Sequence, residues 1–135
     1  MISHRDLTTS NVVWHKGQPY LVDWEMAGAI HRTKDVIATS LNWSLSSQYQ
    51  VKNKQLTSFL ETYSHLNQPL LLSDIEISLH DILDDWMSWI IWNEQLWLLK
   101  TLHSLQCEIL QTAIAIIELR AQFSTIMNIL RNYAK

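Results

Sequence analysis

The chain has 135 residues, enough for one domain with a sizeable core. Of these residues 47% are apolar and 17% charged, with only two Gly and two Pro, a balance that excludes a disordered chain or a turn-rich β-sandwich and favours long helices. A net charge of -3 excludes the basic face that nucleic-acid binding requires, and the single cysteine, Cys107, excludes a disulfide framework or a thiolate metal cluster. Cys107 is expected to be a small buried apolar residue in a reducing compartment. No segment reads as a signal peptide, since charged residues come soon after Met1-Ile2-Ser3. No apolar run approaches the roughly 18 residues of a membrane span; the most apolar stretch, Trp86 to Trp92, is bounded by Asp84, Asp85, Asn93 and Glu94. The expectation is a cytoplasmic protein with no membrane or nucleic-acid partner.

In chain order, residues 1–11 read as a loop, disfavoured as helix by Thr8, Thr9 and Ser10. Asn11 to Trp14 is a short β-type run, His15-Lys16-Gly17-Gln18 a turn, and Pro19 to Trp24 the return strand. In that hairpin Asn11 starts one strand and Asp23 ends the other, so an amide oxygen and a carboxylate come side by side. Mg²⁺ takes few, hard oxygen ligands of this kind. Residues 25–34 read as a second loop. A helix is predicted from Asp35 to about Ser47, with Val36, Ile37, Leu41 and Leu45 inward, and another from Asn53 to Leu66 on Leu56, Phe59, Leu60 and Tyr63. Ser73-Asp74-Ile75-Glu76 reads as a capping box before a long helix to about Lys100, with a stripe of Ile75, Leu79, Ile82, Trp86, Ile90 and Trp97. A break near 101–104 precedes a last helix marked by Ile109, Ala113, Ile116, Phe123, Met127 and Leu130.

The chemistry concentrates at the N-terminal end. His4-Arg5-Asp6-Leu7-Thr8-Thr9-Ser10-Asn11 fits the H-R-D-L-x-x-x-N pattern of kinase catalytic loops. Leu21-Val22-Asp23-Trp24-Glu25 then supplies an Asp at the spacing of a metal-binding residue. With Asp35-Val36-Ile37-Ala38 about a dozen residues later, residues 1–35 resemble the aminoglycoside phosphotransferase and choline kinase superfamily, small-molecule kinases with a protein-kinase-like fold. Asp-Trp-Glu in place of Asp-Phe-Gly, with no Ala-Pro-Glu block after it, points away from protein kinases.

The resemblance implies a mostly α chain, the C-terminal lobe of a protein-kinase-like fold, with one small hairpin carrying the active site over residues 1–135. It implies ATP and Mg²⁺ as cofactors and a small-molecule hydroxyl as acceptor. Asp6 would be the catalytic base or orienting carboxylate, and Asn11 and Asp23 would hold Mg²⁺ and the nucleotide's phosphates. His4 would brace the loop, and Asp35 would accept backbone hydrogen bonds from it. Arg5 stands where the family usually has Gly, either facing solvent or pairing with an acid such as Glu25. His31-Arg32 replaces a common Asp-Pro. The family's N-terminal nucleotide-binding lobe, with its glycine-rich strands and Lys, has no counterpart in these 135 residues, so weak or no activity is expected of the chain alone.

Two further readings stand beside this one. Asp81, Asp84, Asp85 and Trp86 would form an acceptor site for a cationic substrate through charge and cation–π contact, or else the Trp cluster fills a helical core and the acids form a solvated face. The chain would alternatively be a non-catalytic remnant that pairs with itself or with a separate N-terminal lobe through exposed apolar surface, or a helical protein in which the motif is chance.

Overall fold

Two antiparallel ribbons open the fold: β1 (Ile2–Ser3) pairs with β4 (Gly28–Ala29), and β2 (Val12–His15) pairs with β3 (Gln18–Leu21). Five helices follow in the computed structural model, which describes residues 1–66, 69–100 and 103–135: α1 (Arg32–Ser44), α2 (Asn53–Leu66), α3 (Leu72–Lys100), α4 (His103–Ala121) and α5 (Phe123–Arg131). The chain is thus mostly helical with small β-ribbons. No single helix among the described residues is long and apolar enough to cross a membrane.

The β2–β3 hairpin is tighter than the sequence suggests. Lys16 and Gly17 both take positive φ, 49° and 77°, which is the two-residue type I′ turn that matches strand twist. His15 and Gln18, expected in the turn, form the last rung instead. Pro19 lies opposite Trp14, one rung further. Next to a two-residue loop that rung is the non-hydrogen-bonded kind, so the missing N–H of proline breaks no ladder bond.

The β1–β4 ribbon corrects the reading of residues 1–11 and 25–34 as loops throughout. Ile2 pairs with Ala29 and Ser3 with Gly28. The N-terminal ammonium of Met1 donates to the Ile30 carbonyl, and the Ile30 N–H donates to the Met1 carbonyl, each at 2.9 Å. Two-residue strands carry no alternation to read; backbone bonds alone set them.

The helical part follows the predicted stripes, with changes at the ends. α1 begins at Arg32 and stops at Ser44, three residues before the expected Ser47, because Leu45 leaves the helix to bridge Val51. Ser46 Oγ accepts the N–H groups of Gln48 and Gln50 and closes that turn. α2 has the expected bounds. In α3 the capping box does not form. Ser73 lies inside the helix and donates its hydroxyl to the Asp74 carboxylate at 2.7 Å, while Leu70 and Leu72 bond the C-terminal residues Tyr133 and Lys135. Of the expected break, residues 101–102 lie outside the described residues, and α4 starts at His103.

The predicted last helix is two, bent by 63° at Gln122. The cause is a side chain. Gln122 Oε1 accepts the Val51 N–H at 2.9 Å, and Nε2 donates to the carbonyls of Glu118 (2.9 Å) and Tyr49 (3.3 Å). The amide ties the helix break to the 46–51 turn. Around it lies one core: Ile37 and Leu41 of α1, Leu56 and Leu60 of α2, Ile75 and Leu79 of α3, Leu119 of α4 and Leu130 of α5, each at most 1–2% exposed. Cys107, expected in a core, is exposed on α4.

Candidate functional site

The residues singled out in the N-terminal motif converge on the two ends of the hairpin. After β1 the chain turns at Arg5, whose φ is +66°. The Thr8 N–H donates to the Asp6 carbonyl at 2.9 Å, and a single 3₁₀ turn over Thr9–Asn11 leads into β2. Asn11 is buried and its Nδ2 donates twice to Asp6, to the backbone carbonyl at 2.8 Å and to carboxylate Oδ2 at 2.9 Å. The loop is therefore closed on itself, and the other oxygen, Asp6 Oδ1, is not the one Asn11 holds.

The far end of the hairpin brings in Asp23. The Val22 N–H donates to the Asn11 carbonyl at 3.1 Å, one residue beyond the Val12–Leu21 rung. Asp23 is next, exposed, with φ +62° and ψ +63°. That left-handed conformation is uncommon outside Gly, Asn and Asp. It ends β3 at once and starts the 3₁₀ turn Trp24–Met26. Asp6 and Asn11 thus touch directly, and Asp23 lies one residue from a backbone bond to Asn11.

His4 ties the loop to the same corner. It is buried, its Nε2–H donates to the Val22 carbonyl at 2.8 Å, and its ring lies tilted against Trp24 with centroids 4.7 Å apart. Its Nδ1 is buried without a partner. Asp35, at the start of α1, accepts a 2.7 Å bond from the Ser3 hydroxyl, where the sequence reading had backbone donors. Ser3 Oγ in turn faces the Arg5 N–H at 3.5 Å, so Asp35 reaches the loop through a hydroxyl. Later on α1, Trp43 Nε1 donates to the Leu7 carbonyl at 2.8 Å. One helix holds the loop at two points.

Neither Trp43 nor Ser3 stands out in the sequence. Trp43 reads only as one more aromatic on a helix, although an indole N–H needs a partner when partly buried. Arg5 does not pair with Glu25: its side chain lies across Gly28, where a Cβ would sit 3.2 Å from Nη1. The strain at φ +66° also accounts for the use of Gly at this position in the family it resembles.

The oxygen chemistry of the corner fits Mg²⁺. No group of three or more His, Cys, Asp and Glu suited to a metal occurs among the described residues, so an all-protein carboxylate cage is not what these residues offer. With the nitrogen of Asn11 committed to Asp6, its Oδ1 is the atom that would face a cation, and Asp23 would add a carboxylate from an exposed corner. One carboxylate and one amide oxygen, with room for water and phosphate, is the sparse hard set that Mg²⁺ takes.

The acidic group on α3 is differently placed. Asp81, Asp84 and Asp85 are exposed, and Trp86 packs against the core. Lys34 of α1 lies 2.7 Å from Asp85 and 4.0 Å from Asp81. A cation from another helix, invisible to a reading along α3, already faces two of the three acids. Beside it His31 Nε2 lies 3.4 Å from Asp74, and a shallow cleft of ≈ 220 Å³ opens between α1 and α3, lined by His31, Lys34, Asp74 and Asp81.

Residues 1–71, just over half of the chain, match the model of the phosphotransferase enzyme family. No curated protein and no solved structure matches the chain.

Proposed function

The chain belongs to the phosphotransferase enzyme family, and we propose that it is the C-terminal lobe of a small-molecule kinase, transferring the γ-phosphoryl group of ATP to a hydroxyl. The observation that carries this reading is the position of Asn11. Its side chain holds Asp6 and its backbone carbonyl holds the residue before Asp23, so one buried residue sets the spacing of the two carboxylates.

The roles follow from which atoms are committed. Asp6 Oδ2 accepts from Asn11, which leaves Oδ1 to orient the acceptor hydroxyl and take its proton. Asn11 Oδ1 and the Asp23 carboxylate would hold Mg²⁺. When bound, the ion neutralises phosphate oxygens as charge moves toward the leaving group. His4, by donating to the Val22 carbonyl, fixes the backbone from which Asp23 projects. Asp35 and Trp43 hold the loop against α1. Positioning of this kind is most of what phosphoryl transfer asks of a protein.

The test is turnover by the purified chain with ATP, Mg²⁺ and a panel of small alcohols that includes amino sugars and choline-like compounds. Two glycines, Gly17 and Gly28, cannot make a phosphate-covering loop, so turnover is expected to be weak. Whatever Mg²⁺-dependent turnover appears is expected to vanish in Asp6→Ala. Equal turnover in Asp6→Ala would refute the assignment.

A further inference from the structure

α4 is apolar on two opposite faces. Ala115, Ile116 and Leu119 point into the core. Directly opposite, Cys107, Leu110, Ile114, Ile117 and Ala121 are all exposed; Leu110 is 57% exposed, Ile114 49% and Ile117 65%. Their spacing is 3-4-3-4, the a/d seam of a coiled coil over two heptads. No charged residue interrupts it. A surface helix normally shows one apolar stripe and a polar back, and nothing among the described residues covers this second stripe.

We infer that this face of α4 is a self-association surface, and that its occupant is α4 of a second copy of the same chain. The seam is self-complementary, as a two-fold interface requires, since every a and d position offers an apolar or small side chain to its counterpart. The flanking positions agree. Gln106, Gln111 and Ala113 carry no charge, Glu118 and Arg120 are of opposite sign, and neither a parallel nor an antiparallel pair sets like charges against each other. Glu118 is also held by Gln50 Nε2 from its own chain.

The rival cover is a lipid bilayer, because the described parts of α4 and α5 together have the length and composition of a span. They are bent by 63°, however, and Ile126, Met127 and Leu130 of α5 are buried in the core. The seam offers five residues per copy, where a standard interface takes roughly 20–30 from each partner. The dimer is therefore weak and concentration-dependent.

Sedimentation equilibrium of the full chain, from about 5 μM to about 500 μM, reads it over the range where a weak interface fills. A monomer at the low end and a dimer at the high end are expected. Ile114→Lys, on an exposed face where the core is untouched, is expected to weaken association at least tenfold while circular dichroism and melting stay unchanged. Trp14→Ser, on the exposed hairpin, is expected to leave association as it is. A chain monomeric throughout, a dimer indifferent to Ile114→Lys, or an Ile114-dependent partition onto phosphatidylcholine vesicles in place of dimerisation would overturn the inference.

Discussion

Replacing Asn11 by Asp changes one atom and tests how the site is held together. Nδ2 becomes an oxygen. The two bonds it donates to Asp6, at 2.8 and 2.9 Å, become contacts between acceptors, one of them between two carboxylates. Each bond contributes about 1 kcal/mol, more to an ionised group. Like charges about 3 Å apart at a half-buried site add at least another 1 kcal/mol. The expected cost at pH 7 is about 3 kcal/mol, or a fall of roughly 10 °C in Tm for a domain of this size. Asn11→Ala loses the same bonds without the repulsion and is expected to cost about 2 kcal/mol. Urea melts followed by tryptophan fluorescence measure both variants. The gap between them is expected to narrow in about 1 M salt, which screens the charge pair. Asn11→Asp within about 0.5 kcal/mol of the parent, or less harmful than Asn11→Ala, would refute the claim that this amide holds the Asp6 carboxylate.

Two further substitutions probe the frame. Gln122→Ala removes three bonds at the α4–α5 bend and strands the buried Val51 N–H; a loss of about 2–3 kcal/mol in urea denaturation is expected, and a loss below about 0.5 kcal/mol would mean that packing alone makes the bend. Arg5 at φ +66° makes Arg5→Gly neutral to within about 1 kcal/mol, since relief of strain offsets lost packing and added chain entropy. Arg5→Val, β-branched at a positive φ, is expected to cost about 2 kcal/mol or more in the same melts, and equal melts for the two variants would contradict the assigned backbone strain.

Periodicity carried the helices because burial enforces it: the stripes Val36-Ile37-Leu41, Leu56-Leu60 and Ile75-Leu79-Ile82 are the observed core. Strand spacing likewise carried the backbone pairing of Asn11 with Val22, the residue before Asp23. What escaped has no period. β1 and β4 are two residues each, fixed by backbone bonds across 25 residues of chain. The α4–α5 bend depends on one glutamine whose partners, Tyr49 and Val51, are remote in sequence. Lys34 meets Asp85 only after α1 and α3 pack. Cys107 was misplaced because α4 is apolar on both faces, and no pattern along the helix says which one meets the core. The Ser73 capping box failed because the chain before it pairs with residues 133–135 and the helix begins at Leu72, two residues before the expected first helical residue.

Calorimetric titration of nucleotide into the chain, with and without Mg²⁺, and into Asp23→Ala tests the central claim most directly. The account predicts binding that requires Mg²⁺ and is lost in Asp23→Ala, since Asn11 Oδ1 alone is too poor a ligand. Binding that is the same without Mg²⁺, or that survives in Asp23→Ala, would contradict the assignment of Asn11 and Asp23 as the metal-holding pair.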